Sequence, residues 1–374
     1  MDTAAVGIGK LVIGGGFVIA FVFGLVAAKT NFCTMGALSD IVNMGHWGRV
    51  RMWMLSIAVA VVGTTLLSYT GQVDLAKSVP QRPMLSWLSL LVGGLIFGVG
   101  MTLSGGCANK NLIRVGGGSL RAFVVLTFLA IASYMTLKGL FGQWRTELLD
   151  PVRVDLGSLG WADQGLGTAL AQATGMGAKT ALLVAAGVVA VALAAFAFMD
   201  RRFRSNGAQV VGALLLGGLV TAGWYVTGHL GYGENPETLE TVYFATNTRT
   251  LESLSFVAPL AFSLELLMLW TDKSLHLSFG IASVLGIVAG SAAYALATKK
   301  FRWEGFAAMA DLRNQLVGAV LMGFGGVTAL GCTVGQGLTG VSTLALGSFL
   351  ALASILAGSA ATLKYITWRA EREA

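Results

Sequence analysis

Nine apolar runs, each near the roughly twenty residues that a helix needs to cross a hydrocarbon core, recur along this chain between short clusters of charge. They fall at 6–28, 50–71, 85–104, 119–141, 179–199, 208–231, 275–298, 313–330 and 343–366. A chain so patterned needs lipid as its solvent, and a segment crossing lipid must satisfy its own backbone hydrogen bonds. The expected fold class is therefore an all-α integral membrane protein of about nine transmembrane helices. Charge is scarce to match: 11% of residues are charged, against roughly a quarter in a soluble domain. Two further apolar stretches fit no span. Residues 33–44 are too few, and 251–271 carries Glu252, Pro259 and Glu265; both read as short re-entrant helices.

The net charge of +7 does not point to nucleic acid, because Lys and Arg fall in clusters between apolar runs rather than on one basic face. With nine spans, Arg49, Arg51, Lys110, Arg114, Arg121, Arg201, Arg202, Arg204, Lys299 and Arg302 share one side. That side carries about ten net positive charges and the other about three net negative, so the basic side is expected in the cytoplasm. The N-terminus and the acidic connections 142–178 and 232–250 then lie outside, and the C-terminus lies inside. A tenth span at 251–271 would scatter the later basic clusters over both faces. No cleavable signal peptide is expected, since Lys10 interrupts the first apolar run and no small-residue cleavage site follows it.

The chain repeats itself. Gly24, Gly98 and Gly323 each stand nine residues before Cys33, Cys107 and Cys332; Gly100 matches Gly325, and Gly106 matches Gly331. Phe256-Val257-Ala258-Pro259 can be laid on Phe32-Cys33-Thr34-Met35 as a fourth slot that lacks a thiol. Residues 1–141 and 208–374 then form two halves of four spans and two short loops each. The connection 142–207 holds a single linking span, and this odd linker forces the halves into opposite orientations. Such inverted halves place a solute site near the midplane on broken helices. Close helix packing through small residues is the alternative source of the glycine spacing.

Leu103-Ser104-Gly105-Gly106-Cys107-Ala108-Asn109-Lys110-Asn111 and Leu330-Gly331-Cys332-Thr333-Val334-Gly335-Gln336-Gly337 follow apolar helices that stop in glycine. Non-helical backbone at membrane depth is tolerated where it lines a cavity or is buried in protein. Helices restarting after each Cys would aim the positive ends of their dipoles at one place and favour an anion there. A thiol is a weak donor on a polarizable sulfur, a poor partner for hard oxygen but a fitting one for a soft sulfur atom. A free Cys is otherwise a small hydrophobe; here all three sit at helix breaks in matched frames. No C-x-x-C occurs, and His46, His229 and His276 share no helix face, so neither metal nor disulfide framework is indicated and no cofactor is expected.

Other polar residues carry less. Asp40 and Glu265 lie one position apart in the repeat frame, where each can serve proton coupling or snorkel to an interface. Lys110 and Arg114 can draw an anion inward or simply follow the positive-inside bias. Thr34, Ser104, Gly106, Asn109, Gly331, Thr333 and Gln336 are candidates to line a path. Trp47, Trp53, Trp87 and Trp368 near span ends read as interfacial anchors.

Phe23-Gly24 with Asn31-Phe32-Cys33-Thr34-Met35-Gly36-Ala37, Gly94 to Gly100 leading into Ser104-Gly105-Gly106-Cys107, and Gly323-Phe324-Gly325-Gly326 leading into Gly331 to Gly337 resemble the YeeE/YedE sulphur-transport family. The Phe256 to Leu264 segment resembles its cysteine-poor fourth loop. The resemblance implies an hourglass of inverted halves in a bacterial inner membrane, thiosulfate uptake rather than catalysis, and a relay of the ion by S–H···S contacts with Cys33, Cys107 and Cys332. With no soluble carrier domain after the ninth span, a cytoplasmic sulphur acceptor is expected to be a separate protein. The run Asn109 to Gly118 leaves other sulfane-sulfur or selenium species open.

On this reading an anion enters past Cys332, passes Cys107 and leaves past Cys33. The order of the outer two follows from topology and the central place of Cys107 from the family. A dianion moving inward against about 100 mV faces roughly 4.6 kcal/mol, which a gradient, proton coupling or consumption inside must offset. The alternative is a relay in which thiols become persulfides and only sulfane sulfur (or selenium) crosses, which requires an accessible thiol of low pKa.

Overall fold

The structure, a computed structural model, describes residues 3–234, 240–305 and 309–373. Helices account for nearly all of its regular structure. The first six are α1 (Thr3–Thr30), α2 (Thr34–Met44), α3 (Gly48–Tyr69), α4 (Trp87–Leu103), α5 (Ala108–Gly116) and α6 (Leu120–Lys138). A connection follows with α7 (Leu140–Trp144), α8 (Leu166–Thr174), α9 (Ala178–Phe198) and α10 (Arg201–Ser205). The last five are α11 (Gly207–Tyr225), α12 (Val257–Met268), α13 (Phe279–Ala297), α14 (Met309–Thr328) and α15 (Leu346–Glu373), with a π-wound segment Gly335–Gly340 before α15. Two short antiparallel pairs, β1 (Met84–Leu85) with β2 (Val154–Asp155) and β3 (Tyr232–Glu234) with β4 (Thr241–Tyr243), tie connections together.

Every expected span is a helix. Eight helical stretches are long and apolar enough to cross a membrane, and α14 matches them in length while opening on polar turns with Asp311, Arg313 and Gln315. The chain is a multi-pass membrane protein. The 251–271 stretch forms a helix of only 12 residues, too short to span at 1.5 Å per residue. Polar side chains start several spans: Ser119 Oγ accepts from Ala122 N–H, and Ser278 Oγ from Ile281 N–H.

Helix pairing is specific. α1 packs on α13, α3 on α11, α4 on α15, α6 on α14, and at the centre α4 on α14 and α1 on α11. Of the short helices, α2 lies against α3 and α15, and α12 against α13 and α6. α5 lies against α13 and α6, and the π-wound segment against α3 and α15. α9 rests on α3 beneath α8.

Two faces result. Loops 117–119 and 299–304 meet through Arg302 N–H to Gly117 O and Leu120 N–H to Glu304 O, and Arg51 reaches Phe196 O and Asp200. This face gathers the basic clusters. On the opposite face Gln81 donates to Thr343 O, Gln164 to Arg82 O, and Leu346 to Gln164 O, which knits the long connections into one layer. Of the four expected interfacial tryptophans, Trp47, Trp87 and Trp368 are exposed, but Trp53 is buried. Its ring stacks on Phe32 at 4.4 Å, so a packing partner, not the interface, fixes it.

In lipid there is no hydrophobic drive between helices, so close backbone approach carries their association. At the α4–α14 crossing a Cβ added to Gly100 would stand 2.6 Å from Gly318 O and 2.7 Å from Met322 N, both backbone atoms. Gly100→Val is expected to cost about 2 kcal/mol through forced separation of the two helices, read as a lowered melting temperature in detergent. Gly218→Val on α11, where nothing lies within 4 Å, is expected to leave melting within about 0.5 kcal/mol of the parent. Equal effects would place the constraint elsewhere.

Candidate functional site

Three helices stop in the same way. Phe32 N–H donates to Ala27 O at 3.1 Å at the end of α1, Gly106 N–H to Met101 O at 3.0 Å beyond α4, and Gly331 N–H to Gly326 O at 2.8 Å beyond α14. The residue before each donor is left-handed: Asn31 at φ 54, Gly105 at φ 67 and Leu330 at φ 56. These are Schellman stops, which satisfy orphan carbonyls while turning the chain out of the helix.

The next residue in each case is a cysteine, and it starts a new short helix. The carbonyls of Cys33, Cys107 and Cys332 accept from Ala37, Asn111 and Gln336 N–H at 2.9, 3.0 and 2.7 Å. Two of the sulfurs cap the helix they precede by accepting an N–H three residues on: Gly36 at 3.3 Å for Cys33 and Gly335 at 3.4 Å for Cys332. Cys107 stands at the same position before α5 without a side-chain cap. At Cys33 and Cys332 the side chain thus fills the N-cap role usually given to Ser, Thr, Asp or Asn. All three thiols are free and buried. Both Cys33 and Cys332 lie within electrostatic reach of the Cys107 thiol.

The fourth slot is occupied by Phe256, which precedes α12 without a side-chain cap. Its ring lies 6.0 Å from Phe23, which meets Phe32 edge-on at 6.3 Å. An aromatic cluster therefore runs from the fourth slot to the residue before Cys33.

Polar atoms around the thiols lack partners. Thr34 Oγ1, Asn109 Oδ1, Thr333 Oγ1 and Gln336 Oε1 are buried without a hydrogen bond, and Thr333 faces the Cys107 thiol. Buried polar groups are ordinarily satisfied, so four such atoms beside three thiols mark a place built to meet something polar. Lys110 Nζ reaches Asn31 Oδ1 at 3.2 Å. Ser104 instead bonds Gln315 O at 3.2 Å and serves the α4–α14 contact; Gly106 is the second residue of its stop. Asp40 pairs with Arg49 at 3.0 Å and Glu265 with Lys138. Neither carboxylate lines a cavity described below.

Two joined cavities, ≈ 220 and ≈ 290 Å³, open beside Cys332 on the face of the long connections. Leu330, Gly331, Gly335 and Gln336, which flank Cys332, line the first. Val79, Pro80, Arg145, Leu330 and Gln336 belong to both. The second adds Arg82, Arg153 and Asp150. Arg145 Nε stands 3.4 Å from Asp150 Oδ2.

Glu252 also lines the first cavity, in the 247–256 segment outside the spans. Thr248 Oγ1 donates to its Oε2 at 3.3 Å, while its Oε1 closes no hydrogen bond. Burial pushes this carboxyl up to about 7, against the smaller opposing pull of Thr248 and of the Asn247 and Gly280 N–H groups.

Residues 29–361 match the Sulphur transport family. The chain belongs to that family. It is 25% identical over 363 residues to a thiosulfate transporter TsuA of Spirochaeta thermophila, covering 95% of this chain and 98% of the relative. The thiosulfate transporter TsuA of Escherichia coli is 25% identical over 385 residues, covering 96% of each. Like other members of the sulphur-transport family, the chain is a membrane transport protein and not an enzyme.

Sequence reasoning found the thiols of this family member but missed Arg82, Arg145 and Arg153, which come from two connections distant in sequence. It met Glu252 only as an obstacle to a span. An acid inside an apolar run was the available signal.

Leu330 adopts a left-handed conformation without being glycine, a strain of about 1–2 kcal/mol. Leu330→Gly is therefore expected to raise the melting temperature by the equivalent of about 1 kcal/mol. Gly105→Ala, with no atom nearer than Arg114 Nη1 at 3.8 Å to the added Cβ, is expected to lower it by about as much. Shifts of the same sign would mean that backbone conformation does not govern these stops.

Proposed function

We propose that the protein takes up thiosulfate, or a closely related sulphur anion, across a bacterial inner membrane, past Cys332, Cys107 and Cys33 in that order. The observation that carries this reading is the threefold recurrence of one device: a Schellman stop, a buried cysteine and a new helix N-terminus beside unpartnered polar atoms. Helix N-termini attract the anion's charge, and thiols meet its terminal sulfur as soft, weakly bonding partners. Weak contacts suit a conduit, because a deep well at any one thiol would hold the ion there.

The face of the long connections is external in this proposal, with the N-terminus there and the C-terminus in the cytoplasm. Its support is the clustering of Arg and Lys on the opposite face. The two halves, 1–141 and 208–374, are related by inverted topology. Supporting this, the helix contacts come in exchangeable pairs: α1 on α13 answers α11 on α3, α4 on α15 answers α14 on α6, and α2 on α15 answers α12 on α6. The ion leaves past Cys33 into a basic surround of Arg49, Lys110 and Arg114, where a separate cytoplasmic sulphur carrier would receive it.

Thiosulfate carrying distinct sulphur labels on its two sulfur atoms, given to cells with single Cys→Ala changes, tests substrate, direction and thiol dependence together. Both labels are expected to enter together in the parent. Each replacement is expected to cut the initial rate by about tenfold or more, the loss of about 1.4 kcal/mol of contact in the rate-limiting passage. Entry of the terminal-sulfur label alone would replace ion transport by a persulfide relay, and undiminished uptake in all three variants would remove the thiols from the path.

A further inference from the structure

Asp40, Asp150 and Glu265 each face a cation. Glu252 lines the first cavity next to the Cys332 flank, with Oε1 closing no hydrogen bond and Oε2 accepting from Thr248, and with backbone N–H groups rather than a cation nearby. Its backbone is fixed rather than loose: Thr227 Oγ1 donates to Glu252 O at 2.5 Å, and Glu252 N–H approaches the same hydroxyl at 3.2 Å.

The surroundings supply no compensating charge at the carboxylate. Arg249 lies on its own segment, Tyr225 and His229 on α11 and its π-wound extension, Glu265 on α12 and Arg145 across the cavity; Lys10 on α1 is exposed. None of these hydrogen-bonds or ion-pairs with Glu252 among the described residues. His229 stacks on Tyr225 and faces Gln72 O. Arg145 is turned to Asp150.

In the joined cavities Arg82, Arg145 and Arg153 face Asp150 and Glu252, which leaves one net positive charge when both acids are ionised. A proton on Glu252 makes it two, the charge of a sulphur dianion. Protonation also changes the local chemistry, because an ionised carboxylate repels an oxyanion whereas a carboxylic acid donates a hydrogen bond to it.

Resting on the transport reading above, we propose that Glu252 is a proton-coupling residue: the external cavity takes up one proton at this carboxyl together with each sulphur dianion. The proton comes from external water and forms the O–H bond of the acid, and no other bond is made or broken. Because the carboxyl at rest titrates near neutrality, a bound dianion that raises it by about two pH units holds the proton through pH 8. By linkage, whatever the dianion does to proton affinity, the proton does equally to dianion affinity.

The experiment uses the full chain, purified in detergent, with thiosulfate as the probe. Thiosulfate is added in weak buffer containing a pH-indicator dye at pH 8, and up to about one proton is expected to disappear per anion bound. Apparent affinity, measured across pH 6 to 9, is expected to weaken about tenfold per unit above pH 7. Glu252→Gln is expected to flatten this slope, and Glu265→Gln to keep it. Thiosulfate binding by the parent without proton uptake would overturn the inference and leave the transport reading standing, and this measurement does not depend on whether the variants fold. A slope that survives Glu252→Gln, or moves with Glu265, would likewise overturn it. A parent that binds no thiosulfate at any pH would sink the transport reading and this one with it.

Discussion

A polypeptide that interrupts a helix at membrane depth must find partners for the carbonyls it abandons and the N–H groups it newly exposes. The site depends on how this chain solves that problem three times. A Schellman bond closes the old helix, a left-handed residue turns the chain, and a cysteine starts the new helix two positions later. The side-chain oxygens of Thr34, Asn109, Thr333 and Gln336 are left without a hydrogen bond at the breaks. Buried polar atoms ordinarily have a partner, so these remain free to meet one.

The scaffold around the breaks is made by close helix contact. α4 and α14 approach through Gly93, Gly100, Gly318 and Gly325, and α1 and α13 through Gly24, Gly286 and Gly290. These contacts leave no side chain between backbones, and the register of α4 on α14, Gly93 beside Gly325 and Gly100 beside Gly318, makes that pair antiparallel, so Cys107 and Cys332 follow its opposite ends. The fourth slot breaks the pattern. Phe256 stands where a thiol would complete the set, and its ring joins Phe23 and Phe32 in an apolar cluster. Three of these helix starts therefore carry a thiol and the one at α12 a phenyl ring.

Much of this was legible in the sequence, for physical reasons. Spans announce themselves because lipid demands about twenty apolar residues in a row, and every one of the nine runs is a helix, with ends displaced by a few residues. The breaks were legible because glycine before a cysteine interrupts an apolar run. Leu330 shows the limit of that signal, for a leucine takes the left-handed position that Gly105 takes in the matching loop. Trp53 shows another: aromatic residues near span ends prefer the interface on average, but stacking on Phe32 buries this one. The cavities were not legible. Arg82 and Arg145 meet only because Gln81 and Gln164 tie distant connections together, and no local pattern encodes that meeting. Asp40 and Glu265 were visible as acids, while their pairing with Arg49 and Lys138 was not.

The capping role of the cysteines fixes more than helix geometry. A thiol has one hydrogen, and the sulfurs of Cys33 and Cys332 already spend acceptor capacity on an N–H of their own helices. What these two have left to offer is chiefly the S–H hydrogen. Those two side chains therefore meet a neighbour as donors to its lone pairs. Asn109 Oδ1 and Gln336 Oε1 stand unbonded two residues after Cys107 and four after Cys332, so at the breaks hydrogen is offered by the sulfurs and lone pairs by the amides.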